Sequence, residues 1–333
     1  MTSAPTTGQP PAAPDGPDGP DGTGVVRIGT RRSLLATTQS SHVADLIRDR
    51  LGRETELVEI TTEGDRSQAS GTPLTEVGGT GVFVGALREA LLDGRVDVAV
   101  HSLKDLPTQP HAGLVVAAVP TREDPRDAVV ARDGLTLGEL PAGSRVGTGS
   151  PRRRSQLAAL GLGLDVVDVR GNVDSRIRRV RDGELDAVVL ARAGLARIDR
   201  LEEATEVLDP LQMLPAPGQG ALAVECRADD PLATALARLD DAASRATVEA
   251  ERTVLATLEG GCSAPIGALA EVAEGDDGLE LWIRAIALSA DGSLAVRRSA
   301  TGTPEDAVDT GRRLAAEMLE DGAATLDDPP DPA

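Results

Sequence analysis

The sequence is poor in aromatic residues and in cysteine. Among 333 residues there are one Phe, one Trp and no Tyr, so the aromatic platforms on which proteins stack single-stranded nucleic acid are missing. Two cysteines, Cys226 and Cys262, are too few for a disulfide framework and lack zinc-type spacing. Three scattered histidines suggest no metal site. A core of Leu, Val, Ile and Ala in a reducing compartment is therefore predicted.

Basic residues are in the minority. The chain has 34 basic and 54 acidic residues and a formal net charge of −20, which argues against general binding to nucleic acid or to anionic membranes. It contains no apolar run long enough to span a bilayer, and no basic residue precedes Arg27 as in a secretory signal. We expect a cytoplasmic protein in which any anionic ligand meets a local basic patch.

The pattern of apolar runs divides the chain into three folded units. Residues 1–24 and 327–333 are dominated by Pro, Gly, Asp, Thr and Ala, so both tails are predicted to be disordered. From residue 25 short apolar strands alternate with helical patterns, which indicates an α/β fold with helices on both sheet faces. We predict one α/β domain over 25–120 with 221–240, a second over 121–220, and a small α+β domain over 241–326.

Charged residues follow several predicted strands, where open α/β sheets bind ligands next to helix N-termini. Between Arg145 and Arg200 there are 12 arginines against 7 acidic residues, a basic stretch in an acidic protein. Arg178, Arg179 and Arg181 are predicted to form a solvated helix face. Arg152, Arg153, Arg170, Arg176 and Arg197 are predicted to bind carboxylates or phosphates. Arg31 and Ser33 follow the first strand and open a helix, and Ser150 is predicted as the N-cap of the helix that carries Arg152 and Arg153.

Two further positions each allow two interpretations. Lys104 and Asp105 follow a predicted buried strand, and they form either an exposed ion pair or a cleft site whose carboxylate stabilises developing positive charge. Cys262 follows two glycines at the end of a helical run. It is either a small buried cysteine beyond a glycine helix cap or an approachable thiol on a sharply turned loop.

Nucleotide-binding motifs fail on spacing. Residues 147–152 lack the third glycine of the dinucleotide fingerprint, and residues 78–85 lack the Gly-Lys-Ser/Thr ending of a phosphate-binding loop. Two other functions stay open at this point, a non-enzymatic module that binds small anions and a Cys-dependent hydrolase.

Six segments, in order along the chain, resemble the hydroxymethylbilane synthase family, also called the porphobilinogen deaminase family. They are residues 27–33, 100–107, 147–153, 170–173, 214–227 with a Pro-Gly-Gln-Gly-Ala core, and 258–267. The resemblance covers roughly residues 25 to 320. It implies two α/β domains of the type II periplasmic-binding-protein kind around a cleft, plus a small C-terminal α+β domain.

The resemblance also implies an activity. Enzymes of this family are cytoplasmic transferases of tetrapyrrole (haem, porphyrin) biosynthesis, and they act as monomers. They condense four molecules of porphobilinogen head to tail, with loss of ammonia, onto a covalently bound dipyrromethane primer, and then release linear 1-hydroxymethylbilane by hydrolysis. Each pyrrole ring brings an acetate and a propionate, so a basic cleft in an acidic protein is expected.

Roles for individual residues follow from the same resemblance. The dipyrromethane cofactor is expected as a thioether on Cys262, with Asp105 and Lys104 as catalytic residues and no metal. Further cofactor-binding residues are implied to be Arg31, Ser33, Asp65, Lys104, Ser150, Arg152, Arg153, Arg170 and Gly171. Substrate-binding residues are implied to be Arg31, Phe83, Arg170, Arg176, Arg197 and Gln219. One departure is Thr80, where many relatives have lysine, in a Gly-rich segment over 64–81 that we interpret as a lid.

Overall fold

The computed structural model describes residues 24–61, 82–258, 265–275 and 278–326, with the side chains of residues 82 and 83 left aside. Both predicted tails, apart from Gly24, lie outside the described residues. The same holds for the predicted lid over 64–81 and for Cys262.

Strands and helices alternate through the first two thirds of the chain. The strands are β1 Val26–Thr30, β2 Thr55–Glu59, β3 Val98–Ser102, β4 Leu114–Ala118, β5 Asp127–Ala131, β6 Arg145–Gly147, β7 Asp165–Val167, β8 Ala187–Ala191, β9 Glu206–Val207, β10 Leu222–Arg227, β11 Ile266–Gly275, β12 Gly278–Leu288 and β13 Ala295–Gly302. The helices are α1 Leu34–Leu51, α2 Val82–Leu92, α3 Pro151–Ala159, α4 Val173–Arg181, α5 Arg192–Arg197, α6 Leu232–Leu236, α7 Ala242–Thr257 and α8 Ala307–Glu320.

These strands form three sheets. The first has the order β2-β1-β3-β10-β4 and the second the order β7-β6-β8-β5-β9; both are mixed, whereas the third, β11-β12-β13, is antiparallel. In the first sheet β10 returns from the second unit and pairs antiparallel with β3 and β4. The predicted fold class, two α/β units plus a small C-terminal α+β unit, is therefore confirmed. The exact domain boundaries stay predictions.

Helices cover both faces of the first two sheets, as the alternation of apolar runs predicts. In β3, Val98 is buried in one cluster with Ile47 of α1, while its neighbour Ala99 is buried in another with Leu87 of α2. Successive strand residues point to opposite faces, so α1 and α2 lie on opposite sides.

The second sheet repeats this arrangement. Val189 of β8 packs with Leu157 of α3, whereas the adjacent Val188 packs with Ile177 of α4. A strand buried on both faces reads as a continuous apolar run, which explains why β8 has no polar alternation.

The third unit packs α7 and α8 against one face of its antiparallel sheet. Val254 and Leu314 are fully buried in one cluster with Ile283. The two helices approach closely at Gly311, where an added Cβ would lie 2.4 Å from the Ala250 carbonyl oxygen. A larger residue at 311 would force the helices apart.

A buried carboxylate, Glu251 of α7, joins the three units. Its oxygens accept both Nη groups of Arg122, at 2.7 and 2.9 Å, and the backbone N–H groups of Gly218 and Ala270, at 2.7 and 2.8 Å. Arg122 and Gly218 lie on the two segments that cross between the α/β units, and Ala270 lies in β11. The Glu251 carboxylate thus fixes both crossing segments to the third unit.

Glu251→Gln should destabilise the protein by about 3–5 kcal/mol, because it leaves the Arg122 guanidinium buried without its counter-charge. Urea unfolding followed by circular dichroism measures the loss. The matched control is Glu271→Gln, which removes an exposed pair with Arg284 (3.0 Å, side chains 60% and 40% exposed) and should cost less than about 1 kcal/mol. Equal losses in the two variants would contradict the role of Glu251.

Candidate active site

A cleft of about 300 Å³ lies between the two α/β units. Its walls are the carboxyl ends of β3 and β8 together with the N-terminal parts of α1, α3 and α4, the place where open α/β sheets bind ligands. The predicted site residues that line it are Arg31, Ser33, Lys104, Asp105, Arg153, Gly171, Arg176 and Arg197.

The first wall begins at α1. The Ser33 hydroxyl caps this helix by accepting the Ala36 N–H at 3.3 Å, so the loop with Arg31 is held at the cleft. Gln39, one turn further along the helix, is buried and donates its Nε2–H to the Ser102 hydroxyl at 2.9 Å. The helix is thereby tied to the end of β3.

Lys104 and Asp105 lie in a single 3₁₀ turn, Leu103–Asp105, directly after β3. Asp105 is exposed to the cleft, while Lys104 is only partly exposed. Burial lowers the pKa of Lys104 to about 8; the charge of Asp105 raises this pKa and that of Arg153 lowers it further. The turn therefore presents the Asp105 carboxylate beside the Lys104 ammonium, which loses its proton more readily than that of an ordinary lysine.

Arg252, which reaches over from α7, holds this turn from behind. Its Nη1 donates to the carbonyls of Leu103 at 3.1 Å and Leu106 at 2.8 Å, and its Nη2 donates to the Pro107 carbonyl at 2.7 Å. The helix that leads toward Cys262 is in this way bonded to the turn that carries Asp105.

Arg152 and Arg153, at the start of α3, share one buried carboxylate. Asp127, the first residue of β5, accepts Arg152 Nη2 at 2.8 Å and Arg153 Nη2 at 2.7 Å. The two arginines hold the pKa of Asp127 far below its usual value despite full burial. Arg153 reaches the cleft, whereas Arg152 also donates to the Leu214 carbonyl, at 2.5 Å, and does not line it.

Arg176 of α4 lies on the second wall. It donates Nε–H to the Gly171 carbonyl at 2.9 Å. Gly171 has φ +106°, and an added Cβ would lie 2.2 Å from the Ser175 hydroxyl oxygen, so only glycine fits here. Burial and the nearby Arg153 lower the pKa of Arg176 to about 10, which leaves it cationic at neutral pH.

Arg197 of α5 points toward the crossing segments. It donates Nη2–H to the Gly220 carbonyl at 2.6 Å, and burial lowers its pKa to about 10. Gly220 itself has φ +88°, and a Cβ there would approach the Glu123 carbonyl oxygen to 2.3 Å. The close crossing of the two segments therefore requires glycine at 220.

The other predicted site residues lie elsewhere or outside the described part. Ser150 caps α3 by accepting the Arg153 N–H at 3.4 Å, and Arg170 is exposed beside Asp168 at 3.5 Å; neither lines the cleft. Gln219 is buried behind Lys104. Asp65, Cys262 and the side chain of Phe83 lie outside the described residues, so their roles stay predictions.

The cleft is strongly basic. Among the described lining residues five are basic and Asp105 alone is acidic; the basic ones are Arg31, Lys104, Arg153, Arg176 and Arg197. In a chain of net charge −20 this concentration of cations fits a ligand with several carboxylates.

Other concave surfaces lack this feature. A larger cavity of about 740 Å³ on the third sheet is lined by Trp282 and by the paired residues Glu271 and Arg284. Another cavity, of about 370 Å³, is lined by Arg178, Arg181 and Arg200 together with Asp174 and Glu203, which pair with Arg200 and Arg181. Cavity size alone therefore does not identify the site.

The two cysteines differ in setting. Cys226 is fully buried in β10, and burial raises the pKa of its thiol to about 11, so it carries no thiolate at neutral pH. No group of three or more His, Cys, Asp or Glu side chains suited to a metal occurs in the described ranges. Of the helices within those ranges, none has the length and apolar character needed to cross a membrane.

The fold and the cleft define a protein with two mixed α/β units around a basic cleft, extended by a third unit with an antiparallel sheet. The model "Porphobilinogen deaminase, dipyromethane cofactor binding domain" matches residues 26–235, and "Porphobilinogen deaminase, C-terminal domain" matches residues 245–320. The chain belongs to the porphobilinogen deaminase family, and its first two units bind the dipyrromethane cofactor.

Individual relatives agree over nearly the whole chain. The porphobilinogen deaminase of Nocardia farcinica is 60% identical over 307 residues, covering 90% of this chain and 87% of the relative. That of Mycobacterium avium is 59% identical over 308 residues, covering 91% and 96%. A periplasmic substrate-binding protein of an ABC transporter from Coxiella burnetii aligns with a TM-score of 0.42 at 14% identity, over 65% of this chain and 91% of that one.

Several residues around the cleft escape prediction from sequence. Asp127 begins an apolar strand, which is a weak signal for a buried charge, and Gln39 and Arg252 sit on ordinary amphipathic helices. Each acts through partners 25 or more positions away in sequence, so no local pattern points to them.

Arg252→Gln should loosen the turn that carries Asp105. Three hydrogen bonds of about 1 kcal/mol each are lost or weakened, so amide hydrogen exchange in peptides covering residues 102–108 should become at least ~10-fold faster. Mass spectrometry after deuterium labelling measures this. Arg245→Gln, on the same helix but paired with Asp240 and Glu249, is the control and should leave exchange over 102–108 as in the unmodified chain. An unchanged exchange rate in Arg252→Gln would show that the turn does not depend on the Arg252 hydrogen bonds.

Proposed function

We propose that this chain, a porphobilinogen deaminase (hydroxymethylbilane synthase) of tetrapyrrole biosynthesis, joins four porphobilinogen molecules head to tail and releases linear 1-hydroxymethylbilane. The observation that carries the proposal is the cleft, whose described lining residues include five cations and one carboxylate. Each pyrrole ring bears two carboxylates, so a chain of rings needs several cationic partners.

The cleft residues fit a dipyrromethane. Arg31, Arg153, Arg176 and Arg197 come from both walls, so they would bind the acetate and propionate groups of a linear dipyrrole from two sides. Arg176 and Arg197 each have one donor held by a backbone carbonyl, which fixes the guanidinium plane before a ligand arrives. When bound, the cofactor supplies the free α-carbon to which the first substrate is joined.

Asp105 is proposed as the catalytic carboxylate. It is the one acidic side chain among the described residues of the cleft wall, so it is suited to bind pyrrole N–H groups and to stabilise positive charge that develops as ammonia leaves. It also lies next to Lys104, whose ammonium would bind a substrate carboxylate. The rigid turn and the Arg252 hydrogen bonds keep both groups in place.

Cys262 is proposed as the attachment point of the cofactor through a thioether. It follows α7 within a few residues, and α7 is bonded through Arg252 to the turn that carries Asp105. Cys226 is unsuited because it is fully buried. We further propose that the enzyme is monomeric and cytoplasmic and that its substrate is porphobilinogen.

Intact-protein mass spectrometry tests the covalent cofactor. The freshly expressed chain should be heavier than its sequence by two porphobilinogen units less two molecules of ammonia, since each C–N bond to the aminomethyl group is replaced. Cys226→Ser should keep this increment and Cys262→Ser should lose it. Folded, active protein that carries no modification on Cys262 would exclude a covalently primed deaminase and favour an anion-binding module or a Cys-dependent hydrolase.

Asp105→Ala should lower the rate of porphobilinogen consumption at least ~100-fold, because charge stabilisation in the transition state is lost. The variant should stay folded, since Asp105 is exposed. Glu89→Ala, an exposed carboxylate on α2, is the control and should retain the original rate. A wild-type rate in Asp105→Ala would remove this residue from the chemistry.

A further inference from the structure

Lys104 is the only lysine of the chain; the other 33 of the 34 basic residues are arginine. Arginine stays protonated at every physiological pH, whereas the pKa of a lysine responds to its surroundings. Among the lysine and arginine side chains, Lys104 is therefore the one whose charge the protein can adjust. The residues that surround Lys104 in the fold determine how its charge is adjusted.

The amide of Gln219 has a fixed direction. Its Nε2 donates to the Pro125 carbonyl at 2.6 Å and to Asp127 Oδ1 at 2.8 Å, so both amide hydrogens are used. The amide oxygen must then face the other way, and there it accepts from Lys104 Nζ at 3.2 Å. Gln219 is 1% exposed, so water does not compete for these bonds.

Asp127 imposes this direction because a carboxylate only accepts hydrogen bonds. It is fully buried and receives Gln219 Nε2, Arg152 Nη2, and Nε and Nη2 of Arg153. Its charge is balanced by two guanidinium groups, which keeps it ionised. A neutral amide of the same shape could turn its own NH2 group toward Gln219, and the Pro125 carbonyl would then be the one remaining acceptor that fixes the Gln219 amide.

We propose that Asp127 is a positioning residue for Lys104: it acts through the oriented amide of Gln219 to hold the ammonium in the cleft and to keep it protonated. The three residues come from the first sheet, the returning crossing segment and the first strand of the second sheet. The chain of hydrogen bonds thus spans the junction of the two α/β units. The inference rests on the proposed function only in treating the cleft as the active site.

The charges around Lys104 determine the direction in which its pKa should change. Burial is the largest influence and lowers its pKa to about 8; Asp105 and Asp127 raise the pKa, whereas Arg153 and Arg152 lower it. Neutralising Asp127 removes one of two favourable charges and leaves both arginines. The lysine should then lose its proton at lower pH.

Because Lys104 is the only lysine of the chain, its pKa can be measured by NMR without resonance assignment. The full-length chain, with a lysine-free tag, is labelled with ¹³C,¹⁵N-lysine as the sole labelled amino acid. The ¹³Cε shift of Lys104 is then followed from pH 6 to 11 in the unmodified chain and in Asp127→Asn. We expect the midpoint to fall by roughly half to one pH unit in the variant.

Gln219→Met removes the amide and keeps the side-chain length. It should lower the midpoint by itself, because the ammonium loses an acceptor. In this background the direct charge effect of Asp127 remains and its effect through the amide is lost, so Asp127→Asn should shift the midpoint by less than it does in the native background. Additive shifts would mean that Asp127 acts without Gln219 and would overturn the proposal, as would an unchanged midpoint in folded Asp127→Asn.

The control for general destabilisation is Asp97→Asn, which breaks a largely buried pair with Arg27 (2.8 Å) at the opposite end of β3. It should lose stability yet leave the Lys104 midpoint in place. If Asp127→Asn does not fold, an unchanged midpoint in Gln219→Met contradicts the proposal. The titration needs no substrate, so absence of porphobilinogen turnover would refute the proposed function and leave this result standing.

Discussion

Repulsion between like charges is the constraint on which this structure depends. Among the described residues of the cleft are five cations and one carboxylate, and charges of the same sign repel one another without compensation. The compensation comes from behind the walls. Asp127 neutralises part of the Arg152 and Arg153 charge, while the carbonyls of Gly171 and Gly220 hold Arg176 and Arg197.

The crossing segments and the cleft are directly connected. Gln219 and Gly220 lie on a crossing segment, and both contact cations of the cleft. The same segment is fixed by Glu251 through Gly218, and Glu251 also holds the other crossing through Arg122. A relative movement of the two α/β units would therefore change the positions of Lys104 and Arg197 together, which suits a site that receives substrates in succession.

Much of the fold could be predicted because its signals are local. Helix α4 has such a signal at its start, since Asn172 caps it by accepting the Ser175 N–H at 2.9 Å. Ser150 followed by proline marks the start of α3 in the same way. The strand β9 and the helix α6 were not predicted, because two and five residues are too few for a periodic pattern.

The sequence by itself determined the order of strands and helices, the basic stretch in an acidic chain and the family resemblance, since all three are written in neighbouring residues. Only the tertiary structure decided which arginines face a ligand. Arg152 and Arg153 are adjacent, yet successive helix residues point about 100° apart, and only Arg153 reaches the cleft. The Leu214 carbonyl, which accepts from Arg152 and not from Arg153, is distant in sequence and is brought there by packing.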